Sequence, residues 1–431
     1  MSHRGLILLL AAVAAFFPTP LAAADRKPNI IFAMLDDAGI GDLGCYGSEA
    51  IRTPHIDRVA AEGMRFTQCY SGSAVCAPTR CVLMTGLHPG HCRRRDNTAK
   101  AHLSDFPGRP LVFLEPTDRT VSAFLKKQGY VCGGYGKWGL GNPGSSGVPE
   151  KHGFDDFYGY YDQVHAHSYY PPYLIRNSQK VPTPRKNGNI EYTHDVLHRA
   201  SLQFIRQNRD RPFFLYLPYT IPHGKYEVPD LGEYAKKKWT RKEKVVAAMM
   251  GRLDRDFGQL MALLKELKID EHTIVFFTSD NGRAIRAPNL NSSLGLRGMK
   301  RSLYEGGLRA PMIVRWPGKI PVGSVSDFVW THVDFFATAA QVAGNEPPPG
   351  LDSRSVLPTL LGQKQKPFAF HYWEIHSPFQ QAVRMGRWKG IRFGFKDPLK
   401  LYDLQTDEAE KNDVAAGNPQ VVRRIEQIMK S

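Results

Sequence analysis

The sequence predicts an α/β fold: a large, mixed but mostly parallel β-sheet sandwiched between layers of helices. Four near-continuous apolar runs are typical of strands buried on both faces: residues 28–35, 213–217, 273–278 and 311–316. Amphipathic patterns between these runs predict helices at residues 118–129, 193–208, 240–268 and 331–343. Because strands and helices alternate along the chain, we expect helices on both faces of one parallel-type sheet.

The pattern changes in the last part of the chain. A Pro-rich stretch at residues 346–350 precedes a small antiparallel α+β pattern: strands at residues 368–373, 380–385 and 388–394, and a helix near residues 419–430. We therefore predict a main domain at residues 25–365 and a C-terminal subdomain at residues 366–431. Within the main domain, residues 139–192 are rich in Gly, Pro, Tyr and Asn, which predicts a long irregular loop of the kind that often has a function.

The first 24 residues have the features of a secretory signal. Arg4 supplies a positive charge, residues 6–17 form an apolar run, and alanines at positions 22–24 provide a small-residue cleavage site. The run is too short to span a bilayer, and no later segment is long and apolar enough to do so. We predict cleavage after Ala24 and export to the periplasm or the medium, with an uncleaved anchor as the alternative.

The chain is strongly basic. Its 57 Lys and Arg residues exceed its 41 Asp and Glu residues, which gives a formal net charge of +16. Basic clusters at residues 93–95, 236–238 and 423–424 can attract a polyanion, although each cluster alone is equally typical of a solvated surface. No nucleic-acid-binding module is recognisable, so we do not expect nucleic acid as a partner. A sulfated polysaccharide is the better match for an exported basic protein.

Two acidic pairs follow predicted strands. Asp36 and Asp37 come directly after the first strand, and Asp280 and Asn281 come directly after the strand at residues 273–278. The carboxyl ends of parallel strands meet at one edge of a sheet, so these side chains are predicted to converge there. Carboxylate and amide oxygens favour a hard cation such as Ca²⁺ or Mg²⁺. An isolated Asp-Asp pair could equally cap a helix.

Residues 73–86 contain the most specific motif. Pro78 fits the first turn of a helix, Cys76 lies at the positive end of that helix, and Arg80 adds a fixed charge close by. A Cys–Pro loop alone more often holds a small buried thiol. The whole string, Cys-x-Pro-x-Arg followed by Thr85-Gly86, resembles the signature of the sulfatase family. That resemblance implies that Cys76 is oxidised after synthesis, by a formylglycine-generating enzyme, to formylglycine, whose hydrate is the nucleophile.

The resemblance extends to other residues and implies their roles. It implies a divalent cation, Ca²⁺ rather than Mg²⁺, held by five positions: Asp36, Asp37, Cys76, Asp280 and Asn281. It implies stabilisation of the sulfate by Arg80, by Lys137 in the Gly-Lys-Trp motif and by Lys300 in the stretch 298–311. It also implies that His223 contacts the sulfate or the leaving oxygen. Read alone, each lysine would be an exposed solubilising residue and His223 a structural loop histidine.

One position departs from the family pattern. Many sulfatases have a histidine where this chain has Gly139, and that histidine is associated with deprotonating the formylglycine hydrate. His165 and His167 could replace it, contact substrate, or be ordinary loop residues. The departure does not by itself indicate an inactive enzyme.

The sequence contains fewer specific features that bear on the substrate than on the reaction. Residues 371–376 combine aromatic and polar side chains, so we expect Trp373 and His376 to contact a sugar, with an ordinary packed strand as the alternative. A sulfated glycan is predicted, with galactose or N-acetylgalactosamine sulfate suggested by overall resemblance to bacterial sulfatases. The alternatives are a phosphodiesterase or phosphonate monoester hydrolase on the same fold, and a non-catalytic binder of sulfated glycans.

Overall fold

The structure is a computed structural model, and it describes residues 26–97, 112–376 and 378–430. The predicted signal at residues 1–24 lies outside these ranges. Within them, no helix has the length and apolar character needed to cross a membrane.

The strands and helices have the following bounds. The strands are β1 (Asn29–Leu35), β2 (Met64–Phe66), β3 (Cys69–Tyr70), β4 (Val131–Lys137), β5 (Asp156–Tyr160), β6 (Tyr173–Arg176), β7 (Gln179–Pro182), β8 (Arg185–Lys186), β9 (Asn189–Ile190), β10 (Phe213–Pro218), β11 (Thr273–Ser279), β12 (Met312–Arg315), β13 (Ser324–Ser326), β14 (Trp330–Thr331), β15 (His371–His376), β16 (Phe379–Met385), β17 (Trp388–Arg392) and β18 (Lys400–Asp403). The helices are α1 (Pro54–Ala61), α2 (Cys76–Thr85), α3 (Val121–Lys127), α4 (Thr193–Asn208), α5 (Arg241–Glu266), α6 (Glu305–Leu308), α7 (Phe335–Val342), α8 (Leu357–Leu360) and α9 (Pro419–Lys430).

A ten-stranded sheet forms the centre of the main domain, in the order β13-β2-β12-β11-β1-β10-β4-β5-β6-β7. Strand β1 lies in its middle and pairs in parallel with β10 and β11. Every residue of β1 is buried because alternate side chains enter different layers. Ile31, Ala33 and Leu35 pack into the layer that contains α4 and α5, while Phe32 and Met34 pack into the layer that contains α3 and α7. The predicted fold class is confirmed.

One predicted strand runs in the opposite direction to the expectation. The apolar run at residues 311–316 was expected to join the parallel core, but its strand β12 pairs antiparallel with β11. The reason is the connection between them. The chain from residue 280 to residue 311 stays at the carboxyl edge of β11, so β12 enters the sheet from that edge and runs back. This arrangement keeps the intervening loops together at one edge.

Residues 139–192 are more regular than predicted. Strands β5, β6 and β7 extend the main sheet, and β8 and β9 form a separate hairpin. Many of the Gly, Pro and Asn residues that suggested an irregular loop lie between β4 and β5, in residues 138–155, where there is no strand. A second loop, which contains the 3₁₀ turn at His165–His167, approaches the carboxyl edge of β10, since the backbone N–H of Lys225 donates to the carbonyl of His167.

The C-terminal region forms a four-stranded antiparallel sheet in the order β15-β16-β17-β18, packed against α9. This architecture is the predicted one, with β18 added. The domain boundary at residue 366 stays a prediction. The other face of the sheet packs on the main domain, where Trp373 and Ala382 join a cluster with Tyr70 and Leu308.

Candidate active site

The acidic pairs converge at the carboxyl edge of the sheet. The backbone N–H of Asp37 donates to Asp280 Oδ1 at 3.1 Å, and Asn281 Nδ2 donates to Asp37 Oδ1 at 2.8 Å. Asp37 adopts a left-handed backbone with φ of 74°, which turns the chain sharply at the end of β1. Parallel pairing of β1 with β11 therefore brings together two pairs of side chains, Asp36–Asp37 and Asp280–Asn281. The two pairs are separated by more than 240 positions in the sequence.

Cys76 is the first residue of α2 and is buried beside these carboxylates. Its Sγ lies 3.3 Å from Asp36 Oδ1, and Lys300 Nζ lies 3.2 Å from the same sulfur. Burial, together with the charges of Asp280 and Asp36, raises the pKa of the Cys76 thiol to about 12. The unmodified side chain is therefore a neutral thiol at physiological pH and a poor nucleophile.

Two buried cations, Arg80 and Lys137, and the partly buried Lys300 surround the carboxylates. Arg80 donates to Asp280 Oδ2 at 3.0 Å and to the carbonyl of Lys137 at 2.7 Å. Lys137 Nζ lies 2.7 Å from Asp36 Oδ2, and Lys300 Nζ lies 2.6 Å from Asp37 Oδ1. These contacts hold each cationic group in one position, which is the preorganisation that stabilises an anionic ligand efficiently.

Two of the buried carboxyl groups, those of Asp36 and Asp280, differ in their pKa values. Burial acts to raise the pKa of Asp36, but Lys137 and the other nearby cations hold it well below its usual range. Burial and the charge of Asp36 raise the pKa of Asp280 to about 7. A positive charge bound beside Asp280 would favour the ionised form of this carboxyl group.

Two histidines complete the cluster. His223 Nε2 lies 3.4 Å from Asp37 Oδ2, and the His167 ring stacks on the His223 ring with 4.5 Å between centroids. Burial lowers the pKa of both histidines, that of His167 to about 4. Both imidazoles are consequently neutral near pH 7. His165 lies apart, packed on Tyr173 with its Nε2 against the Tyr173 carbonyl, so the structure does not bring it into this cluster.

The donor set fits a divalent cation. One ligand atom from each of Asp36, Asp37, Cys76 and His223 lies within 4.8 Å of the others. The Oδ1 atom of Asn281 is buried and has no hydrogen-bond partner among the described residues, which is the state expected of a ligand oxygen. His223 was not predicted as a possible metal ligand. The sequence around a single histidine after a strand does not show which carboxylates the side chain will contact.

Comparison with known proteins connects this geometry with a family. The family model described as Sulfatase matches residues 28–345. The chain belongs to the sulfatase family. A second model, described as the C-terminal part of N-sulphoglucosamine sulphohydrolase, matches residues 298–431 of this sulfatase.

Several relatives are similar over most of the chain. Human N-acetylgalactosamine-6-sulfatase is 36% identical over 362 residues, which cover 79% of this chain and 67% of the human protein. The N-acetylgalactosamine-6-O-sulfatase of Bacteroides thetaiotaomicron is 29% identical and covers 94% of this chain and 93% of its own. The crystal structure of Ps i-CgsB in complex with k-i-k-neocarrahexaose has a TM-score of 0.81 at 27% identity, with 94% and 92% of the two chains covered.

The structure explains why this sulfatase has glycine at position 139. Gly139 has a left-handed backbone with φ of 79°, and a Cβ added there would lie 1.9 Å from Nε2 of Gln163. A side chain at this position would therefore need a strained backbone and a shift of the Gln163 amide, which is the flexible end of that side chain. Gln163 is buried. Its contact with position 139 could not be predicted from the sequence, because Gly139 follows β4 and Gln163 follows β5.

Strand β15 contains Trp373 and His376, the two residues that were predicted to contact a sugar. Trp373 was expected to contact a sugar, but it is only 1% exposed and its indole N–H donates to the Ser71 carbonyl at 2.9 Å. It packs between the two domains, so the expected contact is wrong. His376 stays partly exposed at the end of the strand, where its Nε2 lies 2.9 Å from Glu374.

Proposed function

We propose that this sulfatase hydrolyses sulfate esters of a glycan with a formylglycine formed from Cys76 and a bound Ca²⁺. The observation that supports this most directly is the placement of Cys76. Its thiol is buried among Asp36, Asp280 and Lys300 with a pKa raised to about 12, so the residue is positioned as a nucleophile but unsuited to act as a thiolate. Conversion to a hydrated aldehyde would supply a hydroxyl nucleophile at the same place.

The residues that would hold the cation are those at the edge of β1 and β11. Asp36, Asp37, Asp280 and the amide oxygen of Asn281 are oxygen ligands, which suits Ca²⁺ better than Mg²⁺ because Ca²⁺ accepts about six to eight oxygen ligands in a flexible geometry, whereas Mg²⁺ usually keeps several waters. When bound, the cation would polarise a sulfate oxygen and offset the charge of the carboxylates. Lys137, Lys300 and Arg80 would then be freer to face the substrate's sulfate oxygens.

Removal of the cation should inactivate and destabilise the enzyme. After dialysis against a calcium chelator, we expect turnover of nitrophenyl sulfate to disappear and the thermal midpoint to fall, and added Ca²⁺ should restore both more fully than Mg²⁺. At a Ca²⁺ concentration 100 times Kd, the stabilisation is about 2.7 kcal/mol. An Asp280→Asn variant should lose most of the Ca²⁺-dependent shift. Full turnover and an unchanged midpoint in chelator would contradict the metal assignment.

His223 would protonate the leaving oxygen in its cationic form, which is the minor form at neutral pH because burial lowers the pKa of its imidazole. It lies 3.4 Å from Asp37 and its imidazole is partly accessible, which supports a contact with a sulfate ester bound beside the carboxylates. His167, stacked on it, is the remaining neutral imidazole and is the group we propose for the role that the histidine at position 139 has in other sulfatases. Proton transfer by such a group contributes about 10²–10⁴-fold.

The leaving group distinguishes this role from a structural one. In His223→Ala, we expect kcat for a sugar sulfate to fall about 10²–10⁴-fold, because an alkoxide needs a proton to depart. Turnover of nitrophenyl sulfate should fall much less, because nitrophenolate leaves without one. His165→Ala, a histidine packed outside the cluster, serves as the matched control. Equal losses on both substrates in His223→Ala would rule out proton donation.

We propose that this sulfatase is exported and that its natural substrate is a sulfated polysaccharide. The reacting unit would be galactose sulfate or N-acetylgalactosamine sulfate. The relatives named for N-acetylgalactosamine-6-sulfate and the net charge of +16 support this choice. Sulfate release from a panel of defined galactose, N-acetylgalactosamine and glucosamine sulfates tests it. Comparison of aryl sulfate with aryl phosphate and phosphonate esters separates a sulfatase from a phosphodiesterase or phosphonate monoester hydrolase.

A further inference from the structure

A polar cavity of about 480 Å³ lies where the main domain meets the C-terminal sheet. This junction cavity is lined chiefly by His88, His91, Asp352, Tyr372, Glu374 and Gln381. Its volume is within the range of small-ligand sites, about 300–1,000 Å³. It lies beyond the C-terminal end of α2, whose 10 residues begin at Cys76. With a rise of about 1.5 Å per residue, the helix separates the cavity from the reacting residue by about 15 Å.

One wall of the junction cavity is a rigid histidine–carboxylate group. The backbone N–H groups of Asp352 and Ser353 both donate to the Gly86 carbonyl at 3.0 Å, which fixes the loop to the end of α2. The Asp352 carboxylate accepts from the backbone N–H of His88 at 2.9 Å and lies 3.0 Å from His91 Nδ1. The two histidine rings stack with 4.2 Å between centroids. These groups are therefore positioned before any ligand binds.

The opposite wall is a polar network on β15 and β16. The Tyr372 hydroxyl donates to Glu374, and Gln381 Nε2 donates to the Tyr372 hydroxyl at 2.6 Å. The Tyr372 ring lies 4.9 Å from the His88 ring, so the two walls meet through aromatic faces. Aromatic faces beside fixed hydroxyl, amide and carboxylate groups match the apolar faces and hydroxyl groups of a sugar ring.

The charged groups that line the junction cavity have partners in the protein, and two of these partners, Arg95 and Asp334, lie outside its lining. Asp352 pairs with His91, and Arg95 Nη1 lies 3.2 Å from Glu374 Oε1. Arg354 stacks on the Phe368 ring at 4.0 Å and lies 3.7 Å from Asp334. This balance differs from that of the catalytic cluster, where cations are arranged to receive an anion. It favours an uncharged, hydroxylated ligand over a sulfated one, because burying an uncompensated sulfate among paired charges is costly.

A short segment connects the junction cavity with the catalytic cluster. Arg95 contacts Glu374 at the cavity, and two residues later Asn97 Oδ1 accepts from the backbone N–H of Ala77 at 2.8 Å, next to Cys76. One stretch of chain, residues 92–97, therefore contacts both sites. We propose that the junction cavity binds an unsulfated sugar unit of the same glycan whose sulfated unit reacts at Cys76. This inference depends on the glycan substrate of the proposed function.

Titration calorimetry with a neutral oligosaccharide tests the proposal. The probes are fully desulfated neocarrahexaose and N-acetylgalactosamine, added to the wild-type protein. We expect at least one of them to bind, and inorganic sulfate not to displace it. Asp352→Asn and Tyr372→Phe each remove one hydrogen-bonding group with little change of shape, and each should weaken binding about tenfold. Asp210→Asn, at a carboxylate that is 88% exposed, is the matched control and should bind like the wild type.

The outcomes separate this inference from the proposed function. Failure of both neutral probes to bind the wild type, or undiminished binding in both cavity variants, overturns the junction-cavity proposal. Displacement of the probe by sulfate also overturns it, because the ligand would then occupy the catalytic cluster. Turnover of nitrophenyl sulfate by the wild type is measured in parallel. Its absence would overturn the proposed function, while binding at the cavity would still be measured independently.

Discussion

Replacement of Cys76 by alanine is expected to abolish sulfate ester hydrolysis, with kcat for nitrophenyl sulfate reduced about 10⁵-fold. The reason is that Cys76 alone supplies the reacting atom, while its neighbours only stabilise charge. Lys300, 3.2 Å from Sγ, remains in place in the variant and can still contact a sulfate ester, and Asp36, 3.3 Å from Sγ, can still hold the proposed cation. We therefore expect binding of inorganic sulfate to persist when turnover is lost. Steady-state kinetics and calorimetry measure the two effects.

The same experiment tests the modification of Cys76. Mass spectrometry of the peptide that spans position 76 should show an aldehyde in active wild-type protein, and a free thiol in protein made without a maturation enzyme. Cys45→Ala, which removes a half-buried thiol away from the cluster, is the control and should retain normal turnover. Turnover by protein whose Cys76 is entirely unmodified would contradict the formylglycine mechanism. A thiol found in a host that modifies other sulfatases would instead favour a non-catalytic glycan binder.

The sequence predicts those parts of the site whose positions follow from the direction of the strands. Asp36 and Asp280 were expected together because each follows a buried apolar strand, and parallel strands end at one edge. The direction of β12 could not be read in this way. Its apolar run resembles that of β11, and only the path of the connecting loops decides that it returns antiparallel.

Side-chain contacts between distant segments were not predictable either. Gln163 occupies the space beside Gly139, and Trp373 turns into the core, but neither residue has a periodicity or motif that indicates its orientation. An aromatic residue on a strand with alternating pattern can face either side, and the choice depends on which surface the strand covers. One face of the C-terminal sheet covers the main domain and buries Trp373, whereas Trp388 packs on the other face, beside α9.

Attachment of the C-terminal sheet depends on a buried ion cluster that has no sequence signature. Lys389 on β17 lies 2.7 Å from Glu305 Oε1 and 3.0 Å from Glu410 Oε1, and all three side chains are completely buried. Glu305 belongs to α6 of the main domain, where it also accepts from Tyr70 and Arg309. The lysine therefore joins the sheet to the same chain segment that contains Lys300.

Lys389→Met should destabilise the protein by about 3–5 kcal/mol, the range for breaking a buried ion pair by removing one partner. Methionine fills a similar volume, but it leaves Glu410 without its buried lysine partner and next to Glu305, whose remaining paired cation is Arg309. Chemical denaturation followed by fluorescence measures the loss. Lys411→Met, at an exposed position one residue after Glu410, should leave stability within about 0.5 kcal/mol of the wild type.

The destabilisation should also depend on pH, with a sign that follows from Glu410. Burial already raises the pKa of Glu410 to about 7, despite the opposing charge of Lys389. Without Lys389 this pKa rises further, so the folded variant binds a proton that the unfolded chain releases, and its stability falls as pH increases. The deficit of Lys389→Met should consequently be larger at about pH 8 than at about pH 6. A deficit that is independent of pH would show that packing, rather than the uncompensated carboxylates, causes the loss.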